Sequence, residues 1–264
     1  MSEQLSEQLD FAKNFALEAG SLMKKNFTLG MQKVWKDDKT PVTVTDETIN
    51  SNLIAQVKTS FPTYAVKGEE ENLQIANAEM TWVCDPVDGT YPFSHGIPIA
   101  TFSLALVDKS GKPQLGVVYD PFTERLAYAV VGGGAFLNDN PIQVSDRKTL
   151  EGAVVDVDVW ADRIDLPNDR LREALLDEDV RPLSLCSVIF GSYLVGAGEL
   201  DGVIFNVPKP EDIAAVKVIV EEAGGKVTDL QGNEQSYLKQ TNGAILSNGL
   251  IHQQLIDVVN RKRV

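Results

Sequence analysis

Between Met80 and Asn140 the chain strings together strand-like apolar runs separated by short turn-forming clusters, and this stretch limits the fold more than any other. The runs "MTWVCD", "ATFSLALVD", "QLGVVYDP" and "RLAYAVVGGGAFLN" are punctuated by "KSGKP", "DPFTE" and "NDNP". Runs rich in β-branched and aromatic residues, bounded by Gly, Pro, Asn and Asp, read as an antiparallel meander. Upstream the period changes. Leu5, Leu9, Ala12, Phe15, Ala19 and Leu22 recur at three- and four-residue steps, the stripe of an amphipathic helix, and a second helix is predicted from Asp46 to about Ser60 through Ile49, Leu53 and Val57.

After about Val144 strands and helices alternate: "GAVVDVDVW", "DRLREALLDED", "VRPLSLCS", "VIFGSYLVGAGE", "DGVIFN", "EDIAAVKVIVEEAGG", "AILSNG" and a closing helix to Arg263. Alternation of this kind favours a layered second half with a more mixed sheet. With 264 residues the chain can bury a sizeable core. Its net charge of -14 argues against partners that need a clustered basic face, namely nucleic acid and anionic membrane surfaces. The two cysteines, Cys84 and Cys186, are too few and too scattered for a disulfide framework. No basic-then-apolar leader opens the sequence, and no apolar run approaches the ~18 residues of a membrane span. A reducing cytoplasm is the expected location.

Three acidic clusters remain to be explained. "KGEEEN" alone is a charged loop, "DPVDGT" alone is a turn built from turn formers, and "PEDIAAVKVIVEEAGG" alone shows ordinary helix capping. Together they point to a hard-cation site, because Mg²⁺ takes oxygen ligands and keeps waters that a phosphate substrate can replace. Asp85 is expected to end a strand and project into a cleft. Pro86 then stops ladder pairing and leaves the Val87 carbonyl free, Asp88 returns a second carboxylate, and Gly89 and Thr90 offer amides to a phosphate oxygen at a helix start.

The order "GEE", "WVCDPVDGT", "EDIAA" with "EEAGG" resembles the inositol monophosphatase superfamily, the Mg²⁺-dependent, lithium-sensitive phosphatases, from "DKTPVTVTD" to "AILSNG". The resemblance implies an α+β fold, a layered αβαβα sandwich with an antiparallel N-terminal sheet and a mixed C-terminal sheet. Residues 1–148 would form an α+β half carrying GEE and DPVDGT, and residues 149–264 an α/β half carrying Asp212. It implies two or three Mg²⁺ ions per site, held by Glu69, Asp85, the Val87 carbonyl, Asp88 and Asp212. Thr90, hydrogen-bonded to Asp46, would orient and help deprotonate the attacking water, with Glu70 in support. Gly89, Thr90, Asp212 and the residue at position 205 would meet the substrate, a small phosphorylated metabolite. The family's habit implies a homodimer.

The chain also departs from the pattern. Glu211-Asp212 stands where many members have Trp-Asp, Phe205 stands where inositol phosphatases carry a substrate-binding glutamate, and "CSV" at Cys186 to Val188 replaces a Gly-Thr-Ala-like segment. Broad phosphomonoesterase activity is therefore expected, inositol-1-phosphate included, with bisphosphate nucleotidase and histidinol-phosphate phosphatase as alternatives. A catalytically weak member acting through a protein partner is the contrasting class. His95 is expected on a loop, the "GGGAF" glycines in a hairpin turn, and Cys84 packed as a small hydrophobe.

Overall fold

The computed structural model of the chain describes residues 5–36, 41–159 and 168–261. Asp38, Lys39 and Thr40 of "DKTPVTVTD", Trp160 of "GAVVDVDVW" and the expected helix end at Arg263 lie outside them. The first half contains α1 (Ser6–Asn26), β1 (Val34–Trp35), β2 (Pro41–Val42), α2 (Val44–Ser60), β3 (Ala65–Gly68), β4 (Asn72–Leu73) and β5 (Met80–Asp88). It continues through α3 (Thr90–Ser94), β6 (Thr101–Asp108), β7 (Pro113–Asp120), β8 (Arg125–Val130), β9 (Ala135–Leu137) and β10 (Asn140–Pro141). The second half contains β11 (Val154–Asp158), α4 (Asn168–Asp177), β12 (Arg181–Leu183), α5 (Val188–Gly196) and β13 (Gly202–Phe205). A 3₁₀ turn (Pro210–Asp212), α6 (Ala214–Glu222), β14 (Lys226–Thr228), β15 (Ala244–Ser247) and α7 (His252–Val259) complete it.

Eight strands form one sheet in the order β10-β9-β8-β7-β6-β5-β3-β4, and five form a second in the order β12-β11-β13-β15-β14. The meander from β5 to β10 is antiparallel throughout, but β3 joins β5 in parallel, so the first sheet is not purely antiparallel. The connection explains this: β4 and its loop return the chain so that β5 enters in the direction of β3. The second sheet is mixed, with β11 parallel to β12 and β13, and β15 antiparallel to β13 and β14.

Both faces of β6 are apolar, and that requires helices on both sides of the first sheet. Phe102, Leu104 and Leu106 pack with Trp82 against Ala12 and Phe15 of α1 and Ile49 and Leu53 of α2. Ala105 and Val107 face the other way, into a middle layer with Val83, Ile189, Phe205, Ala215, Val218 and Ile219. Small side chains on this face let α6 approach closely. A Cβ on Gly116 would fall 2.2 Å from the Ala215 carbonyl oxygen, so glycine is required there. On the far side of the second sheet Val155, Val157, Ile204 and Ile245 pack against Leu171 and Leu175 of α4 and Leu255 and Val258 of α7. Five layers, helix–sheet–helix–sheet–helix, follow from three apolar cores. No helix of the described residues is long and apolar enough to cross a membrane.

Two helix starts differ from the sequence expectation for local reasons. The second helix begins at Val44 rather than Asp46, because Thr43 caps it and Asp46 closes a capping box from the third helical position. "EDIAAVKVIVEEAGG" is split into the 3₁₀ turn and α6, so Asp212 sits on the turn rather than in the first turn of a continuous helix.

Candidate active site

Asp85 and Asp88 lie three apart, and in a regular strand such residues point to opposite faces. Here Asp85 pairs with Ser103 and Asp88 with Thr101, so three steps on β5 match two on β6. This β-bulge inserts one residue and resets the alternation. Ser103 and Thr101 share a face, and therefore so do the two aspartates. The expectation that Asp85 ends the strand is corrected: β5 runs on to Asp88, and Pro86 is accommodated because a bulge leaves one residue out of the ladder. The Asp85 Oδ1 accepts the Val87 amide at 2.9 Å, fixing the turn from within.

One cleft gathers Glu69, Asp85, Val87, Asp88, Gly89, Thr90, Lys209 and Asp212, closed on its other side by Asp158, Cys186, Val188 and Val207. Glu69 follows β3 directly, and its amide donates to the Cys84 carbonyl at 3.2 Å, which sets it beside Asp85. The next two residues are held by Asn50 of α2, whose Oδ1 accepts the Glu70 and Glu71 amides at 3.2 and 3.3 Å while its Nδ2 donates to the Glu71 carbonyl at 3.0 Å. Gly68 allows this, since a Cβ there would fall 2.1 Å from the Asn50 Oδ1. The sequence reading missed Asn50. Its signal is an uncharged polar residue one step from the apolar stripe of α2, fully buried in the structure.

Asp88 is fastened from the second half of the chain. Its Oδ2 accepts the Thr101 hydroxyl at 3.1 Å, the amides of Ile189 and Phe190 at 3.1 and 3.2 Å, and the Ser187 hydroxyl. Thus "CSV" contributes an anchor for Asp88. Gly89 follows in the left-handed region at φ 77°, and a Cβ on it would meet the Ile99 carbonyl at 2.7 Å and the Ser187 Cβ at 2.8 Å.

The electrostatics show what this cluster lacks. Burial, then repulsion from Glu69, Asp88 and Asp212, pushes the Asp85 carboxyl well above the usual range. Burial does the same to Asp212 despite Lys209 nearby, and it raises Asp88 to about 6 against its four hydrogen bonds. Glu69 is the exception: burial opposes ionisation, but Lys209 and Lys36, at 2.8 and 3.0 Å, together hold it below its ordinary value. Burial would lower the Lys209 ammonium, yet Glu69, Asp212 and Asp85 raise it. A set of buried carboxylates with a carbonyl beside it, drawing a lysine ammonium inward, has the oxygen chemistry a hard divalent cation requires. Among the described residues no three acidic, histidine or cysteine side chains are gathered tightly enough to cage a metal as they stand. Glu69 is instead paired with Lys209 and Lys36, and Lys36 also binds Glu70.

Thr90 Oγ1 lies 3.2 Å from Asp46 Oδ1 and 2.8 Å from the Val87 carbonyl oxygen. The other Asp46 oxygen accepts the Thr43 amide and hydroxyl at 2.9 and 2.5 Å. Burial outweighs these bonds and brings Asp46 to about 7. A threonine hydroxyl with such a carboxyl behind it can pass a proton near neutral pH. His95 caps the short α3 and bonds to the Tyr91 carbonyl at 2.8 Å, outside the cleft lining. Gly132 and Gly134 do form a hairpin turn, and their amides bind the Glu222 carboxylate at 2.8 Å.

Phe205 requires a correction. It is fully buried in the middle core, in one cluster with residues of α5 and α6, and does not line the cleft. The residue beside it in register, Asp158 on β11, lines the cleft instead. Sequence reading passed over Asp158 because the alternating "VVDVDV" pattern reads as an ordinary half-buried strand.

Comparison with known proteins agrees with this architecture. The sequence pattern of the inositol monophosphatase family matches residues 4–263. The chain is 35% identical over 219 residues to a fructose-1,6-bisphosphatase/inositol-1-monophosphatase of Thermotoga maritima, covering 83% of this chain and 82% of that one. It is 31% identical over 258 residues to a histidinol-phosphatase of Chlorobaculum parvum, covering 97% of each. Among solved structures, an IMPase/NADP phosphatase complexed with Mg²⁺ and phosphate superimposes with a TM-score of 0.86 at 26% identity, covering 98% of this chain and 97% of that one. With its five-layered fold and whole-length match, the chain belongs to the inositol monophosphatase family and is a phosphoric monoester hydrolase.

Proposed function

We propose that the protein hydrolyses small phosphate monoesters by direct attack of water, with two or three Mg²⁺ ions held by Glu69, Asp85, the Val87 carbonyl, Asp88 and Asp212. The family uses metal ions, generally Mg²⁺. The observation that carries the reading is the bulge that turns Asp85 and Asp88 onto one face, in the cleft that Asp212 also lines. When bound, the ions supply Lewis acidity, which makes water more acidic and offsets charge on the leaving oxygen. The chain's own residues do the rest. Thr90 Oγ1 accepts a proton from the attacking water and relays its own to Asp46 Oδ1, whose raised pKa suits it to accept. Glu70, paired with Lys36, acts on Asp46 through its charge, and the Gly89 and Thr90 amides receive a phosphate oxygen.

The substrate range follows from the cleft wall. With Phe205 in the core, the wall lacks the glutamate that would select inositol hydroxyls, and inositol-1-phosphate is hydrolysed without being the exclusive substrate. The test is phosphate release from inositol-1-phosphate, fructose 1,6-bisphosphate, adenosine 3',5'-bisphosphate and histidinol phosphate, with Mg²⁺ and after chelation. Release that depends on Mg²⁺ and slows in lithium at the order of tens of millimolar, a range for competition at a hard-cation site, agrees with the reading. Silence on every substrate at every Mg²⁺ concentration would replace it with a non-catalytic partner role.

A further inference from the structure

The cleft has a second carboxylate wall that the phosphate chemistry does not use. Asp158 ends β11 and lines the cleft beside Cys186, facing the same volume as Thr90 and Asp88. Its side chain makes no hydrogen bond or ion pair to any described residue, as is also true of Asp212, whereas Glu69 is held by lysines, Asp85 by an amide and Asp88 by hydroxyls and amides. Two residues back on the same face, Asp156 is fully buried; its Oδ1 accepts the Leu185 amide at 3.0 Å, and its Oδ2 has no partner. Among the described residues the nearby cations are already engaged. Lys36 and Lys209 serve Glu69 and Glu70, and the Arg172 guanidinium donates to the Leu183 and Pro182 carbonyls at 2.9 and 3.1 Å.

A half-buried carboxylate backed by another and lacking a donor among the described residues is costly unless something entering the cleft offsets it. A neutral hydroxyl supplies one hydrogen bond and leaves the negative potential in place. An ammonium or imidazolium supplies the bond and cancels the charge. We propose that Asp158 is the specificity-determining residue of the cleft and selects phosphate monoesters whose alcohol carries a cationic nitrogen. This rests on the phosphatase reading, and it adds the chemistry of the leaving group. Burial first, then repulsion from Asp156 and Asp88, brings the Asp158 carboxyl to about 7, so the arriving cation also draws it into the ionised form.

The test uses matched probes. Phosphate release is measured for ω-aminoalkyl phosphates of two to four carbons and for the corresponding ω-hydroxyalkyl phosphates, with wild type, Asp158→Asn and Asp158→Ser. Wild type is expected to favour the best amine over its hydroxyl counterpart in kcat/KM by roughly 10- to 100-fold, the scale of one charge-assisted hydrogen bond. Both variants should lose that preference and keep turnover of the hydroxyl series within about threefold, since an uncharged substrate makes little use of the charge. Wild type turning over both series equally would overturn the proposal without recourse to a variant. So would a preference that survives in either variant, or an equal loss on both series in a variant whose thermal unfolding matches wild type. Silence on all these phosphates and on the broader panel would overturn the phosphatase reading itself, and this proposal with it.

Discussion

The two ends of the cleft are built in different ways. The proposed metal and phosphate end comes largely from one continuous segment, β3 through α3, where a parallel strand pair, a bulge and a left-handed glycine place Glu69, Asp85, Asp88 and Thr90, with Asp88 held further by Ser187 and the Ile189 and Phe190 amides. The proposed leaving-group end is assembled from Asp158 at the end of β11, Cys186 and Val188 at the junction of β12 and α5, and Val207 after β13. Cys186 even takes a positive φ of 57°, an uncommon conformation for a side chain of its size. Chemistry that must be exact is fixed by backbone, whereas selectivity rests on side chains that can change without disturbing the sheet.

That contrast can be broken at the metal end first. Asp85→Asn should lower kcat by about a thousandfold or more, because metal charge stabilisation is worth several kcal/mol of the barrier. In chelator the same variant should unfold at a higher temperature than wild type, since Asn removes a buried carboxyl that resists ionisation. A variant less stable without metal and fully active with it would break the contrast. Thr90→Val is expected to lose roughly a hundredfold in kcat with little change in KM, the scale of a lost general base, read from initial rates. Gly89→Ala should cost about 1–3 kcal/mol in chemical denaturation, the scale of forcing a side chain into a strained backbone region, with a further penalty from Ile99 and Ser187.

The smallest effect is in pH. Asp46 and Asp158 at about 7 and Asp88 at about 6 all lie above their ordinary aspartate values in the folded chain. The native state therefore binds more protons than the unfolded state between about pH 4 and 7. Their contribution is fully present below pH 4 and is lost as pH rises through 6 and 7. Metal-free protein should show this fall in urea titrations at a series of pH values, and saturating Mg²⁺ should flatten it. A metal-free stability that instead rises across pH 5 to 7 would contradict the electrostatic account.

The sequence made the metal end legible because its devices are local. "DPVDGT" contains the proline, the two acids and the glycine of the turn, and "GEE" abuts the strand that carries its glutamate to them. What it did not reveal was the bulge, since parity depends on pairing with β6, and the pairing of β3 with β5 in parallel. Asn50 was hidden for a similar reason: its partners, the amides of Glu70 and Glu71, are twenty residues away. Phe205 lies in the core and its register neighbour Asp158 lines the cleft, because which of two adjacent strand ends reaches the cleft depends on tertiary packing.

The central claim is that one inserted residue in β5 turns two aspartates onto a single cation site. Calorimetric titration of Mg²⁺ into wild type, Asp85→Asn and Asp88→Asn tests it most directly. The account predicts measurable binding by wild type and loss of at least tenfold in affinity in each variant, the least expected for removing a charged ligand from a hard-cation site. Wild-type affinity in either variant would show that the two carboxylates do not share a site.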